Sequence, residues 1–115
     1  MTSLRLDYDA EDDWLDIGFG REETYSRSYA LNDHITVYTD PGGGRITRIT
    51  FAEYARLLMV NETEFTSLRD EEAWVVDDLL FLLSRAPASS FLEVIDERAL
   101  IARVKSPDIM EAIEA

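Results

Sequence analysis

Cysteine is absent from the 115 residues, and there is a single histidine, His34, and a single lysine, Lys105. Without cysteine there is no disulfide framework, no thiol nucleophile and no thiolate metal site, which fits a reducing compartment. No apolar run approaches the ~20 residues of a membrane-spanning helix. Arg5 and Asp7 interrupt the first apolar residues, so no signal-peptide pattern is read, and a cytoplasmic location is expected. A gap of another kind is positive charge: 11 basic residues stand against 24 acidic ones, for a net charge of −13. Acids exceed bases by 10 to 5 up to Phe51 and by 14 to 6 beyond it. Such a surface repels phosphate, so no nucleic-acid and no anionic-membrane partner is expected, whereas a basic protein partner would suit it. Net charge that serves only solubility is the plainer explanation.

What is present is enough apolar material for one domain. Hydrophobic residues make up 46% and are spread along the whole chain, which argues against disorder and, at this length, for a single domain over 1–115. The clearest stretch runs from Leu4 to Phe51. Leu4, Leu6 and Tyr8 alternate with polar neighbours, then Asp9 to Asp13 make a polar turn. Leu15, Ile17 and Phe19 alternate with Trp14, Asp16 and Gly18, so the two runs form a predicted hairpin. Gly20 to Glu23 turn the chain again, and Thr24 to Leu31 read as a strand whose buried face the pattern does not decide. Asn32-Asp33 is a turn, followed by a strand with Ile35 and Val37 on one side and His34, Thr36 and Tyr38 on the other. Asp40-Pro41-Gly42-Gly43-Gly44 is a loop, because proline and three glycines disfavour a ladder. Arg45 to Phe51 is a fifth strand. Its apolar positions Ile46, Ile49 and Phe51 break parity, which predicts a bulge near Thr47-Arg48.

Tyr8, Asp9, Glu11, Asp13, Leu15, Ile17, Asp33, Ile35, Val37, Asp40, Gly44, Arg45, Ile46 and Ile49 together form a recognisable order: strand, acidic turn, strand, Asn-Asp, Ile-x-Val strand, Asp/Gly turn, Ile-rich strand. Over Leu4 to Phe51 this resembles a bacterial family catalogued as domain of unknown function 2283. Two departures stand out: Asp16, where an aromatic or aliphatic residue is usual, and the Pro-Gly-Gly-Gly loop. The resemblance implies a compact antiparallel sheet and no established catalytic residues. Some members look like neighbours of small toxin-like proteins, which implies a binding role.

Past Phe51 the period changes. Ala52 to Leu58 read as a short helix presenting Tyr54, Leu57 and Leu58. Ser67 is a good N-cap with Asp70, Glu71 and Glu72 behind it, so a long helix is predicted over about 68–84. Ser90 and Glu93 resemble a second capping box, and residues 91–104 are read as helix with a hairpin as the alternative. Ser106-Pro107-Asp108 would open a last short helix. The region 52–115 is therefore expected to be mainly helical, packing on the sheet, and the fold class is α+β: an antiparallel sheet of about five strands over residues 4–51 with the long helix laid across its apolar face.

Motifs that carry chemistry are few. Asp7, Asp9, Glu11, Asp12, Asp13 and Asp16 are dense enough to bring calcium to mind. An EF-hand loop, however, needs glycine at its sixth position and an acid at its twelfth. Started at Asp7 those positions hold Asp12 and Gly18; started at Asp9 they hold Trp14 and Gly20. His34 lacks cysteine partners and no serine sits in a Gly-x-Ser-x-Gly elbow. The three glycines precede a strand rather than a helix N-terminus, so they form no phosphate cradle. The expectation is no enzyme, no catalytic residue, no cofactor and no metal. The alternative is a carboxylate-based metal-binding protein or metal-dependent enzyme using Asp9, Glu11 and Asp13.

The long helix supplies the sharper signal. Leu68, Val75, Val76, Leu79, Leu82 and Leu83 share one face at 100° per residue. Trp74 and Phe81 lie behind it beside Asp78 and Arg85, with Leu80 on the flank. The aromatics are expected to be covered by the C-terminal segment, and otherwise to face another chain. The functional expectation is an acidic protein-interaction module, antitoxin-like or immunity-like, that neutralises a basic partner and forms a homodimer through Trp74, Asp78, Phe81 and Arg85.

Overall fold

Five antiparallel strands place an unbroken apolar row through the middle of the molecule. The computed structural model describes residues 4–19, 27–40, 42, 44–60, 62–85 and 88–105. Strand β1 (Leu4–Asp9) pairs with β2 (Trp14–Phe19), β3 (Arg27–Ala30) with β4 (Ile35–Thr39), and β5 (Ile46–Ala52) lies between β2 and β4, giving the order β1-β2-β5-β4-β3. The register aligns Leu6, Ile17, Ile49, Val37 and Tyr29 across all five strands. Ile17, Ile49 and Val37 are fully buried. The expected bulge is real: Tyr38 pairs with Arg48 but Thr39 pairs with Ile46, leaving Thr47 as the extra residue. That one insertion returns Ile46 to the face of Ile49 and Phe51, where it is buried. The opposite face of the sheet carries Asp16, Arg48 and Tyr38. Arg48 holds Asp16 bidentately, through Nε at 2.8 Å and through Nη2, and lies over the Tyr38 ring at 5.1 Å. Asp16, where the resemblance leads one to expect an apolar residue, thus serves this polar face.

The second half departs from the helical expectation. A short helix, α1 (Tyr54–Met59), does follow the sheet, and α2 spans Ala73–Leu83. Ser67 does not cap it. Leu68 sits instead in a 3-10 turn over Thr66–Asp70, after which Glu71 and Glu72 are extended. Such a turn repeats every three residues, which sets Phe65 and Leu68 on one side, and both are buried. The helix is 11 residues long, shorter than expected at its N-terminal end.

Residues 91–104 form a hairpin, not a helix: β7 (Leu92–Asp96) pairs with β8 (Ile101–Val104), and β8 also pairs with a two-residue β6 (Thr63–Glu64) in a second sheet ordered β6-β8-β7. The β-branched residues Val94, Ile95, Ile101 and Val104 favour strands. The Asp96 carboxylate accepts the Arg98 and Ala99 amides at 3.0 and 3.1 Å, closing the turn before left-handed Leu100. Leu92 faces Val104, and Val94 faces Ala102, so this sheet has its own apolar row. Phe91 meets Phe19 at 6.0 Å, and Tyr54 of α1 meets Phe51 at 5.5 Å while its hydroxyl donates to the Lys105 carbonyl at 3.0 Å. The first sheet is therefore covered by α1 and the C-terminal hairpin together with α2, whose Val75, Leu79, Leu80 and Leu83 are buried. Leu80, expected on the aromatic flank, belongs to the core. The expected turn at 20–23, the start of the Thr24 strand and the last helix from Ser106 lie outside the described residues.

One buried amide joins the sheets. Asn32, at the β3–β4 turn, accepts the His34 and Ile35 amides at 2.8 and 2.9 Å through its oxygen. Its nitrogen donates to the Thr63 hydroxyl at 3.1 Å and the Glu64 carbonyl at 3.0 Å. Asn32→Ala strands four groups that have lost water, so a loss of about 2 kcal/mol or more is expected. Urea unfolding followed by circular dichroism measures it, and a loss within error of zero would show that water replaces the amide.

Candidate functional site

The helix α2 lies beside the outer strand of the first sheet, and a shallow solvent-open cleft of about 70 Å³ separates them. Trp74, Val75, Asp78, Leu79 and Leu82 form its helical wall, with Arg27, Tyr29 and Thr39 opposite. That is far below the size of a small-molecule pocket and suits part of one side chain of a partner. Trp74 and Phe81 are seven residues apart and both 60% exposed. Among the described residues the C-terminal hairpin does not cover them, since it packs on the sheet and on the other face of α2. The rest of the C-terminal segment, from Ser106, lies outside the described residues.

Local contacts hold the stripe in place. The Trp74 indole N–H donates to the Glu72 carboxylate, which fixes the ring over the first turn. Arg85, just beyond the helix, stacks on Phe81 at 5.4 Å. Asp78, one turn on from Trp74, lines the cleft. Of the four residues named from the sequence, Trp74, Asp78 and Phe81 lie on α2 and Arg85 just past its end, and only Trp74 and Asp78 reach the cleft. From Asp70 to Arg85 the chain carries five acids and one base, while the cleft lining itself holds one of each, Asp78 and Arg27. Sequence reasoning missed Arg27 and Tyr29. They come from β3, whose facing the alternation left open, and nothing local in the sequence brings them to α2.

The acidic turn has a structural role. Asp13, in the left-handed region at φ 52, accepts the Tyr8 hydroxyl at 2.6 Å and the Ala55 amide at 2.9 Å, and its carbonyl accepts the Tyr54 amide at 3.0 Å. It thereby satisfies the start of α1, whose own flanking residue Glu53 makes no side-chain cap. Asp9 accepts the Glu11 and Asp12 amides at 3.0 and 3.3 Å. These oxygens are turned toward backbone donors, and among the described residues no three acidic or histidine side chains gather around a common point. His34 stands just before β4, its Nδ1 3.9 Å from the Glu53 carboxylate. No helix among the described residues is long and apolar enough to cross a membrane.

The bond from Tyr8, then that from Ala55, holds the Asp13 carboxyl below its ordinary 3.8, and the same bond raises the Tyr8 hydroxyl above 10.0. A lowered folded-state acid stabilises above the unfolded pKa, and the gain disappears as pH falls through the folded value. Asn tolerates the same left-handed backbone, so Asp13→Asn isolates the charge. Thermal melts from neutral pH to about pH 2 should show the wild type more stable at neutral pH, with the gap closing in acid. A gap independent of pH would assign the effect to shape rather than charge.

No protein-family model matches the chain, and no curated protein and no solved structure is similar enough to be matched with it. The likeness of residues 4–51 to the domain family named above therefore rests on the residues themselves.

Proposed function

We propose that the chain is a protein-interaction module that binds a basic protein through the α2 face, as an antitoxin-like or immunity-like neutraliser would. The observation that carries this reading is the exposed pair Trp74 and Phe81, each 60% open on a helix whose other face is core. Water-exposed aromatics of this size are costly to leave uncovered and are common anchors when they are covered. The acids around them select the sign of the partner, and the −13 net charge would speed its approach. The cleft beside Trp74 carries Asp78 on one wall and Arg27 on the other, so it would take an apolar stem packed on the indole while the partner's positive charges meet the acids outside it.

Affinity capture from the native host with wild type and with Trp74→Ala/Phe81→Ala, at low and high salt, tests the reading. A protein of net positive charge should be retained by the wild type at low salt, weakened by salt, and weakened by about tenfold or more in the double variant. Retention that ignores both salt and the substitutions would remove α2 from the interface. Sedimentation of the same two proteins separates a self-associating stripe from one that waits for another protein. Calorimetric titration with calcium, magnesium and manganese addresses the metal alternative, for which tight binding lost in Asp13→Ala would be required.

A further inference from the structure

Strand β1 closes one side of the first sheet, and among the described residues no strand pairs with its outer edge. An open edge is a row of backbone donors and acceptors ready for another strand. Proteins commonly blunt such edges with charged side chains or proline; β1 has no proline, and its charges are of both signs, so they can pair as well as repel. On its polar face it carries Arg5, Asp7 and Asp9, and on its apolar face Leu4, Leu6 and Tyr8. Leu4 and Leu6 are half-buried and Tyr8 is 48% exposed, so the apolar face of the sheet stops short at this edge.

We infer that β1 pairs with β1 of a second copy of this chain, antiparallel about a two-fold axis through Leu6, to make a continuous ten-stranded sheet. The register follows from the residues. Directly opposed residues of an antiparallel pair lie on the same face. With the axis at Leu6, Arg5 of each copy therefore stands opposite Asp7 of the other, twice, on the polar face. On the apolar face Leu6 meets Leu6 and Leu4 meets Tyr8. Moving the axis to Asp7 sets two aspartates against each other, and moving it to Arg5 sets two arginines together. An axis between residues would oppose apolar and polar faces. Of these axes only the one at Leu6 opposes no like charges; the one at Asp7 would set Arg5 opposite Asp9, but only with Asp7 against Asp7.

In the single chain Arg5 folds across Gly18, its Nη2 3.1 Å from where a Cβ would stand on that glycine. Pairing draws the guanidinium toward Asp7 of the second copy, where the flexible stem lets it reach. A six-residue strand is a small interface beside the ~1,200 Å² or more of a stable complex. The dimer is therefore a concentration-dependent equilibrium, opposed by the charge of two chains and strengthened when that charge is screened.

Sedimentation equilibrium of the full chain at moderate salt tests this, with Arg5→Asp and with the exchanged pair Arg5→Asp/Asp7→Arg. The wild type should self-associate, Arg5→Asp should weaken association by about tenfold through two new like-charge pairs, and the exchanged pair should restore it. A wild type that stays monomeric at high concentration overturns the inference. So does a dimer indifferent to Arg5→Asp, or one not restored by the exchange, since either places the contact elsewhere, α2 included. If circular dichroism shows Arg5→Asp to be unfolded, hydrogen exchange of the wild type decides. Amides of β1 directed outward should gain protection with rising protein concentration, and unchanged exchange would overturn the pairing.

Discussion

The register of β5 is the constraint on which the rest depends. It is hydrogen-bonded on both sides, so a shift of one residue would turn Ile49 and Phe51 outward and bring Arg48 into the core. The row through Ile17, Ile49 and Val37 fixes the middle of the strand, and the extra residue at Thr47 fixes its start. Because Thr47 absorbs one position, both ends of β5 can be apolar on the same face although their spacing in the chain says otherwise. The Arg48–Asp16 bridge locks the same register from the other side, and at about 1 kcal/mol it is the smaller contribution beside the buried row.

Two side chains then carry that register into the second half. Asn32 holds the β3–β4 turn against β6, and Asp13 holds the β1–β2 turn against the start of α1. Both replace backbone partners that a short element lacks. The two-residue β6 and the six-residue α1 could not persist alone, since a helix this short gains too little from its own hydrogen bonds. They persist because a polar residue from a distant turn completes them. The acidic turn is thus a connector between hairpin and helix, in which the Asp9 and Asp13 carboxylates hold backbone amides.

The first half of the fold was legible because alternation in β1, β2 and β4 records one buried face, and even the bulge was visible as broken parity between Ile46 and Ile49. The second half misled for physical reasons. Ser67 with three acids behind it satisfies every local rule for a helix start, yet Phe65 and Leu68 both need burial, and a tight turn achieves that where a helix would not. Ser90 and Glu93 match a capping box, but Val94, Ile95 and Ile101 are better accommodated in strands, and the Asp96 turn decides the matter. Helical spacing alone grouped Trp74, Asp78 and Phe81 on α2, since spacing survives an error in where the helix begins. The opposing wall of Arg27 and Tyr29 was hidden because tertiary neighbours leave no periodic trace.

The insertion of β5 between β2 and β4 also has a kinetic side. Strands β3, β4 and β5 follow one another and can form a meander with short loops, and β1 with β2 closes across a tight turn. Joining these two pieces pairs Trp14 with Ala52, and that closure must be met in chain entropy before the central row yields any burial. Until it happens, β2 and β5 both present bare inner edges and apolar faces. The native order of strands therefore makes the docking of two preformed hairpin units, rather than the formation of either, the step at which this chain is most exposed to association with the wrong strand.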